Sequence, residues 1–265
     1  MSGLTQVVRS ALKILNIRYA RKIINGHEYL LPLEGYSLRV LFDKSDASLN
    51  DPAEMGYLQH ILDAIQPGQT VFDVGVYRGY FSLAFLGKVG AKGRIVGFEP
   101  NPHNVRLMQE TITANHLSNV TLVPKAISDQ AGGKLKMWVE GISSVSSLRG
   151  EALDTPSHQT VDVDVTSIDQ FVADTGIFPG AIKIDIEGAE LLALQGAVET
   201  LKQKKTIVAC EIHPHKLPAF GHTAQQVEEF FANLGYHARP AEIFSESKSE
   251  SKAIKRAIYR PGKAS

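Results

Sequence analysis

Apolar residues along this chain fall into short buried runs that alternate with longer stretches of helical period. Val71-Phe72-Asp73-Val74 is apolar, β-branched and aromatic, bounded by Pro67-Gly68 and by Gly75. Such a short run, closed by turn residues, predicts an interior strand of a parallel sheet. Gly75 and Gly79 flank a turn into Tyr80-Phe81-Ser82-Leu83-Ala84-Phe85-Leu86, a buried helix. The unit recurs. Gly93-Arg94-Ile95-Val96-Gly97-Phe98 is closed by Glu99-Pro100, Asn101-Pro102 opens a helix carrying Val105, Leu107, Met108 and Ile112, and residues 119–124 form a third strand. Residues 181–186 and 206–212 read as two more core strands. Further helices are predicted from Asp51-Pro52 to about residue 65, from Glu187-Gly188-Ala189-Glu190 through Val198, and from 224 to 234. Strands alternating with helices predict an α/β fold with a doubly wound, mostly parallel sheet.

Two regions break the alternation. Between 126 and 169, Lys134-Leu135-Lys136-Met137-Trp138-Val139 and Thr160-Val161-Asp162-Val163-Asp164-Val165 alternate with period two around the serine-rich stretch 141–147, predicting a β insert. That serine-rich stretch reads as a flexible connection or as a substrate lid. At the other break, residues 1–24 are basic and contain no acid, with Leu4, Val7, Val8, Ala11, Leu12 and Leu15 at helical spacing. They read as a helix capping the domain, a membrane-surface helix or a targeting peptide. Residues 29–33 and 36–42, around Glu34-Gly35, predict a hairpin. The expected organisation is therefore an extension over 1–48 and a main domain over 49–265. Two short strands, near 236–239 and 253–259, are expected to finish the sheet around a charged, serine-rich loop at 245–252.

At 265 residues the chain is long enough for a substantial core. Lys+Arg and Asp+Glu are each 28, so no global basic field draws in nucleic acid. The single cysteine, Cys210, excludes an internal disulfide framework and suits a reducing, cytoplasmic setting, with membrane contact through residues 1–24 left open.

Four acids fall at the carboxyl ends of predicted strands, Asp73, Glu99, Asp185 and Glu211, and this edge is where open α/β sheets bind ligands. The glycine spacing around 75–79 is G-x-x-x-G, and Tyr77 stands where a dinucleotide fingerprint needs its second glycine for a pyrophosphate. S-adenosylmethionine has a ribose and an adenine but no phosphate, so the turn suits it. Glu99 can accept both hydroxyls of a ribose diol, a role shared with NAD sites. Asp185 sits inside an otherwise apolar strand, which is costly without a purpose. Glu187 and Glu190 suit the start of the following helix. Glu211-Ile212-His213 places an acid and a histidine on one side of a strand end, and His213-Pro214-His215 is either polar surface or a metal site.

Asp-x-Gly-x-x-x-Gly-Tyr at 73–80, Gly-Phe-Glu-Pro at 97–100, Ala-Ile-Ser-Asp at 126–129, Lys-Ile-Asp-Ile-Glu-Gly-Ala-Glu at 183–190 and Glu-Ile-His at 211–213 together resemble the FkbM family of S-adenosylmethionine-dependent methyltransferases. The resemblance covers roughly residues 50–240, and it departs at Val76, where the family usually has alanine. It implies the seven-stranded class I, Rossmann-like methyltransferase sheet and O-methylation of sugar, lipid or natural-product hydroxyls. By the same resemblance Asp73, Gly75, Gly79 and Tyr80 line the methionine end of the cofactor. Glu99 holds the ribose, Ser128 and Asp129 edge the adenine, and Asp185 faces the reacting centre. A hydroxyl acceptor must lose its proton, to Asp185, Glu211 or His213, or with help from Mg²⁺ or Mn²⁺ held by Asp185 and Glu211. The rival functions are a Rossmann oxidoreductase and a non-catalytic domain of methyltransferase shape. The expected partner is a small-molecule or glycan acceptor rather than nucleic acid.

Overall fold

The computed structural model describes residues 19–24, 27–32, 52–139, 146–149, 159–246 and 254–262. Its centre is a seven-stranded sheet of β3 (Thr70–Val74), β4 (Arg94–Phe98), β5 (Val120–Val123), β10 (Ala181–Ile184), β11 (Ile207–Ile212), β12 (Tyr236–Glu246) and β13 (Ile254–Pro261), in the order β12-β13-β11-β10-β3-β4-β5. β3, β4, β5, β10 and β11 run parallel, and β13 is antiparallel to both its neighbours. The chain leaves β3 outward through β4 to β5 and returns to β10 on its other side. β3 and β10 therefore flank the topological switch point.

Two apolar layers cover the sheet, one on each face. Val71, Ile95, Ala181, Ala209 and Ile258 pack against helices α1 (Pro52–Ala64) and α2 (Tyr80–Val89). Phe72, Val74, Val96, Phe98, Ile182, Ile184, Val208 and Cys210 face the other way, towards α5 (Glu190–Gln195), α6 (Val198–Lys202) and α7 (Ala224–Asn233). Because both faces are buried, these strands are continuously apolar in sequence. Helix α3 (Pro102–Ala114) starts at Asn101, whose side chain accepts the His103 N–H, with proline in the first turn. Helix α4 (Ile168–Thr175) is capped by Ser167, and α7 by a capping box of Thr223 and Gln226.

The insert forms its own small sheet, β6-β9-β7-β8, from β6 (Ala126–Ile127), β7 (Lys134–Val139), β8 (Ser146–Ser147) and β9 (Thr160–Thr166). The serine-rich stretch otherwise lies outside the described residues.

The structure corrects three local expectations. Residues 19–24 are a strand, β1 (Tyr19–Ile24), antiparallel to β2 (His27–Pro32), instead of the end of a helix. Ile24 pairs with His27, so the connection is Asn25-Gly26, a dipeptide that favours tight hairpin turns over helix. The expected turn at 34–35, its second arm and residues 1–18 lie outside the described residues. The helix expected from 187 through 198 is two helices, broken at Gly196-Ala197. There the backbone passes so close to Ser128 that a Cβ on Gly196 would stand 2.1 Å from its carbonyl oxygen. β12 runs on to Glu246, with a register shift between Ala238 and Ile243. No helix of the described residues is long and apolar enough to cross a membrane.

Candidate active site

Period-two alternation builds the site. Asp73, Lys183, Glu211 and Arg256 each lie two residues from Val71, Ala181, Ala209 and Ile258, which pack under α1 and α2, so all four point to that same face. Strand register then sets Asp73 opposite Lys183 and Glu211 opposite Arg256. The result is a polar row across the carboxyl edge of the sheet, sealed beneath two helices. Lys183 is 3 % exposed; its Nζ lies 3.6 Å from Asp73 Oδ1 and 3.1 Å from Asp185 Oδ2, and donates to the Gly75 carbonyl at 3.2 Å. The Phe81 ring covers it, with Nζ 4.8 Å from the centroid. Asp73 Oδ2 accepts from Ser82 Oγ at 2.6 Å. Arg256 clamps Glu211 with two bonds, Nε to Oε2 at 2.7 Å and Nη2 to Oε1 at 3.1 Å, and lies against Tyr57 of α1.

The loops after β3 and β10 meet at the switch point. A Cβ on Gly75, whose φ is +85°, would stand 1.9 Å from the Asp185 carbonyl oxygen, so only glycine lets these loops touch. Each loop also holds a non-glycine residue in the left-handed region, Tyr77 at φ 54° and Glu187 at φ 56°. Glu99 secures the first of these, accepting the Tyr77 N–H at 2.7 Å on one oxygen and the Asn101 N–H at 2.8 Å on the other. The Tyr77 amide is thereby committed to Glu99. Val76 fits because its neighbour is Gly97, where a Cβ would lie 2.5 Å from Val76 Cγ2.

A second charged group surrounds His213. Its Nδ1 lies 2.8 Å from Glu190 Oε1, and its Nε2 faces Glu187 and Glu211 at 3.6 Å and Asp185 at 4.0 Å. Lys216 Nζ holds Glu187 at 2.5 Å. Burial alone would lower the pKa of His213, but Glu187, then Glu190 and Asp185, push it up to about 10. The imidazole is therefore a cation near neutral pH. Burial would raise the carboxyl of Asp185, but Lys183 and then His213 hold it below the usual range. Burial and the neighbouring Asp185 raise Glu211, against the opposing pull of His213 and Arg256. Burial, followed by Glu211 and Asp185, pushes Glu54 in the first turn of α1 up to about 8.

The structure thus gathers Asp73, Gly75, Glu99, Asp185, Glu211 and His213 at one edge. Gly79 lies beside Met108, whose Sδ a Cβ there would meet at 2.2 Å, and Tyr80 donates to Met55 Sδ at 2.8 Å in the helical roof. Ser128 and Asp129, hydrogen-bonded to each other at 2.9 Å, stand at the entry to the insert. Sequence reasoning assigned no part to Lys183, Arg256 or Lys216, and it left Glu190 as a helix-end acid, although Glu190 is fully buried. The signal for Lys183 was a cation inside a buried strand. Arg256 gave none, since its role depends on register. Asp185, Glu211 and His213 also place one ligand atom each within 4.8 Å of one another, a donor set suited to a divalent ion.

A model of the methyltransferase FkbM domain matches residues 73–238, well over half of the chain. The chain belongs to the FkbM methyltransferase family. Within this family's match lie every acid of the polar row and the His213 cluster. A model of protein-L-isoaspartate (D-aspartate) O-methyltransferase matches residues 6–133. Protein-L-isoaspartate O-methyltransferase 1 of Arabidopsis thaliana is 29 % identical over 111 residues, 37 % of this chain, which spans about half (48 %) of that protein's length. Among solved structures, methyltransferase FkbM from Methylobacillus flagellatus KT is similar with a TM-score of 0.46 and 17 % identity, over 83 % of this chain and 56 % of that one. The precorrin-6y C5,15-methyltransferase of Geobacter metallireducens GS-15 gives a TM-score of 0.49 and 12 % identity, over 84 % and 94 %.

Proposed function

We propose that this protein transfers a methyl group from S-adenosylmethionine to a hydroxyl oxygen of a sugar, lipid or natural product. The switch-point crevice fits that donor. Glu99 is a buried carboxylate set where a ribose diol can bind, Asp73 Oδ1 accepts no hydrogen bond, and the Tyr77 amide, already bound to Glu99, is not offered to a phosphate. The sulfonium supplies an activated methyl group, so the chain's task is to align the acceptor and take up its proton.

The observation that carries the choice of acceptor is the charge pairing at the mouth. Lys183, Lys216 and Arg256 are each bound to a carboxylate, so no cation among them waits for an acidic substrate. The partly exposed groups here are Asp185 and Glu187, which accept hydrogen bonds. A hydroxyl donates to them; a carboxylate, such as the isoaspartyl acceptor named for the Arabidopsis relative, is repelled. Asp185 is the group placed to receive the proton, because it is partly exposed while Glu211 is buried and clamped by Arg256.

A second reading follows from the clustering of Asp185, Glu211 and His213. A divalent ion there would lower the pKa of the acceptor hydroxyl, with one oxygen from each acid and His213 Nε2, once it has given up its proton, as ligands. One experiment addresses both readings. Labelled-methyl transfer to extracted glycans, lipids, small metabolites and isoaspartyl peptides identifies the acceptor, with and without chelator. Label on hydroxyl compounds supports the proposal, and label confined to isoaspartyl peptides overturns it. Chelator-sensitive transfer restored by Mn²⁺ or Mg²⁺ selects the metal-assisted route.

A further inference from the structure

The charges at the switch point do not cancel. Glu211 is matched by Arg256, Glu187 by Lys216 and Glu190 by His213. What is left is Glu99, bound by amides and by no cation, and Lys183 between two carboxylates, Asp73 on β3 and Asp185 after β10. The ammonium is fixed from four sides by those two acids, the Gly75 carbonyl and the face of Phe81. It bridges the two strands whose divergence opens the crevice. This triad carries one net negative charge, beside the Arg256–Glu211 pair and against the apolar residues of α2 and the sheet.

Resting on the methyltransferase reading, we propose that Lys183 is a positioning residue that sets the charge of the donor crevice. By tying Asp73 to Asp185 it leaves this triad one unit of negative charge, facing the sulfonium. The crevice thereby distinguishes the charged donor from the neutral thioether left after transfer. Without Lys183 two like charges would face each other across the switch point, and neither would be held in place. With Lys183 but without one of the acids, the triad would be neutral and the preference for a cation would weaken. Lys183 touches neither the acceptor nor the transferred carbon; it acts through the two acids.

The test is calorimetric titration of the full chain at one pH with S-adenosylmethionine and with S-adenosylhomocysteine, read as the ratio of the two dissociation constants. Neither measurement needs an acceptor. Asp73→Asn should shift the ratio on the order of tenfold against S-adenosylmethionine, the scale of one unit charge removed from a buried site. Adding Lys183→Met to Asp73→Asn returns the triad to one negative charge and should restore the wild-type ratio. Lys183→Met alone should shift the ratio the other way, and Lys183→Arg should leave it near wild type. If Lys183→Met alone gives no cooperative melt, the Asp73→Asn pair decides. Equal ratios in wild type, Asp73→Asn and the double variant would show that Lys183 is only a structural cation and overturn the inference. A wild type that binds neither compound refutes the methyltransferase reading itself, and this inference with it.

Discussion

Glu99 allows a prediction with a defined sign. Its carboxylate is buried, and burial raises its pKa from 4.5 to about 7 despite the bonds from Asn101, Tyr77 and Asn104. A group whose folded-state pKa is raised this way holds its proton longer when folded than when unfolded. Below pH 4.5 it makes no difference to stability. Between 4.5 and about 7 the folded state is progressively penalised, and above that the penalty levels off at roughly 3 kcal/mol. Glu99→Gln removes the titration while keeping the shape. The amide has one acceptor oxygen where the carboxylate had two, so either the Tyr77 or the Asn101 N–H loses its partner, at a pH-independent cost of about 1.5–3 kcal/mol. The variant should therefore be clearly less stable than wild type at pH 5 and close to it at pH 8. The gap should narrow by about 2–3 kcal/mol across that range. Urea unfolding of both proteins at half-unit pH steps measures it, and contributions from every other titrating group cancel in the difference. Parallel curves would show that Glu99 titrates normally, and the burial argument for its poised carboxylate would fail.

Other outcomes follow from the same geometry. Glu99→Ala should weaken binding of S-adenosylhomocysteine by roughly 1–3 kcal/mol in calorimetry, and unchanged affinity in a folded variant would place the ribose elsewhere. Gly75→Ala should fail to fold or bind no cofactor, because its Cβ would stand 1.9 Å from the Asp185 carbonyl oxygen; a stable variant with wild-type affinity would contradict this. Asp185→Asn should lower the rate of methyl transfer far more than cofactor affinity, and a rate equal to wild type would reduce Asp185 to a structural role. His213→Gln leaves Glu190 buried without its cation and should cost about 3–5 kcal/mol at pH 6, with the gap shrinking as pH rises from 6.5 towards 10 because there the unfolded chain releases the proton that folded wild type still holds. A gap that stays constant over that range would mean that His213 is neutral throughout.

By itself the sequence determined the alternation of strands and helices, because a strand buried on both faces must be apolar throughout and its ends need turn residues. It likewise marked Asp73, Glu99, Asp185 and Glu211, because a charge at the end of an apolar run is conspicuous against its neighbours. The dipeptide Asn25-Gly26, between the paired residues Ile24 and His27, is a turn signal that the sequence also carries, against the helical spacing of the residues before it. What the sequence leaves open is pairing. Arg256 lies 45 positions after Glu211, and only the antiparallel return of β13 beside β11 makes one clamp the other. Lys183 and Asp73 are brought face to face by the parallel register of strands that are far apart in the chain. Glu190 looked like a helix-end acid until the strand end carrying His213 was folded against it. Local patterns fix which side chains must be buried or turned. Which charges neutralise one another depends on strand order and register, and those are settled only when the whole sheet closes over its core.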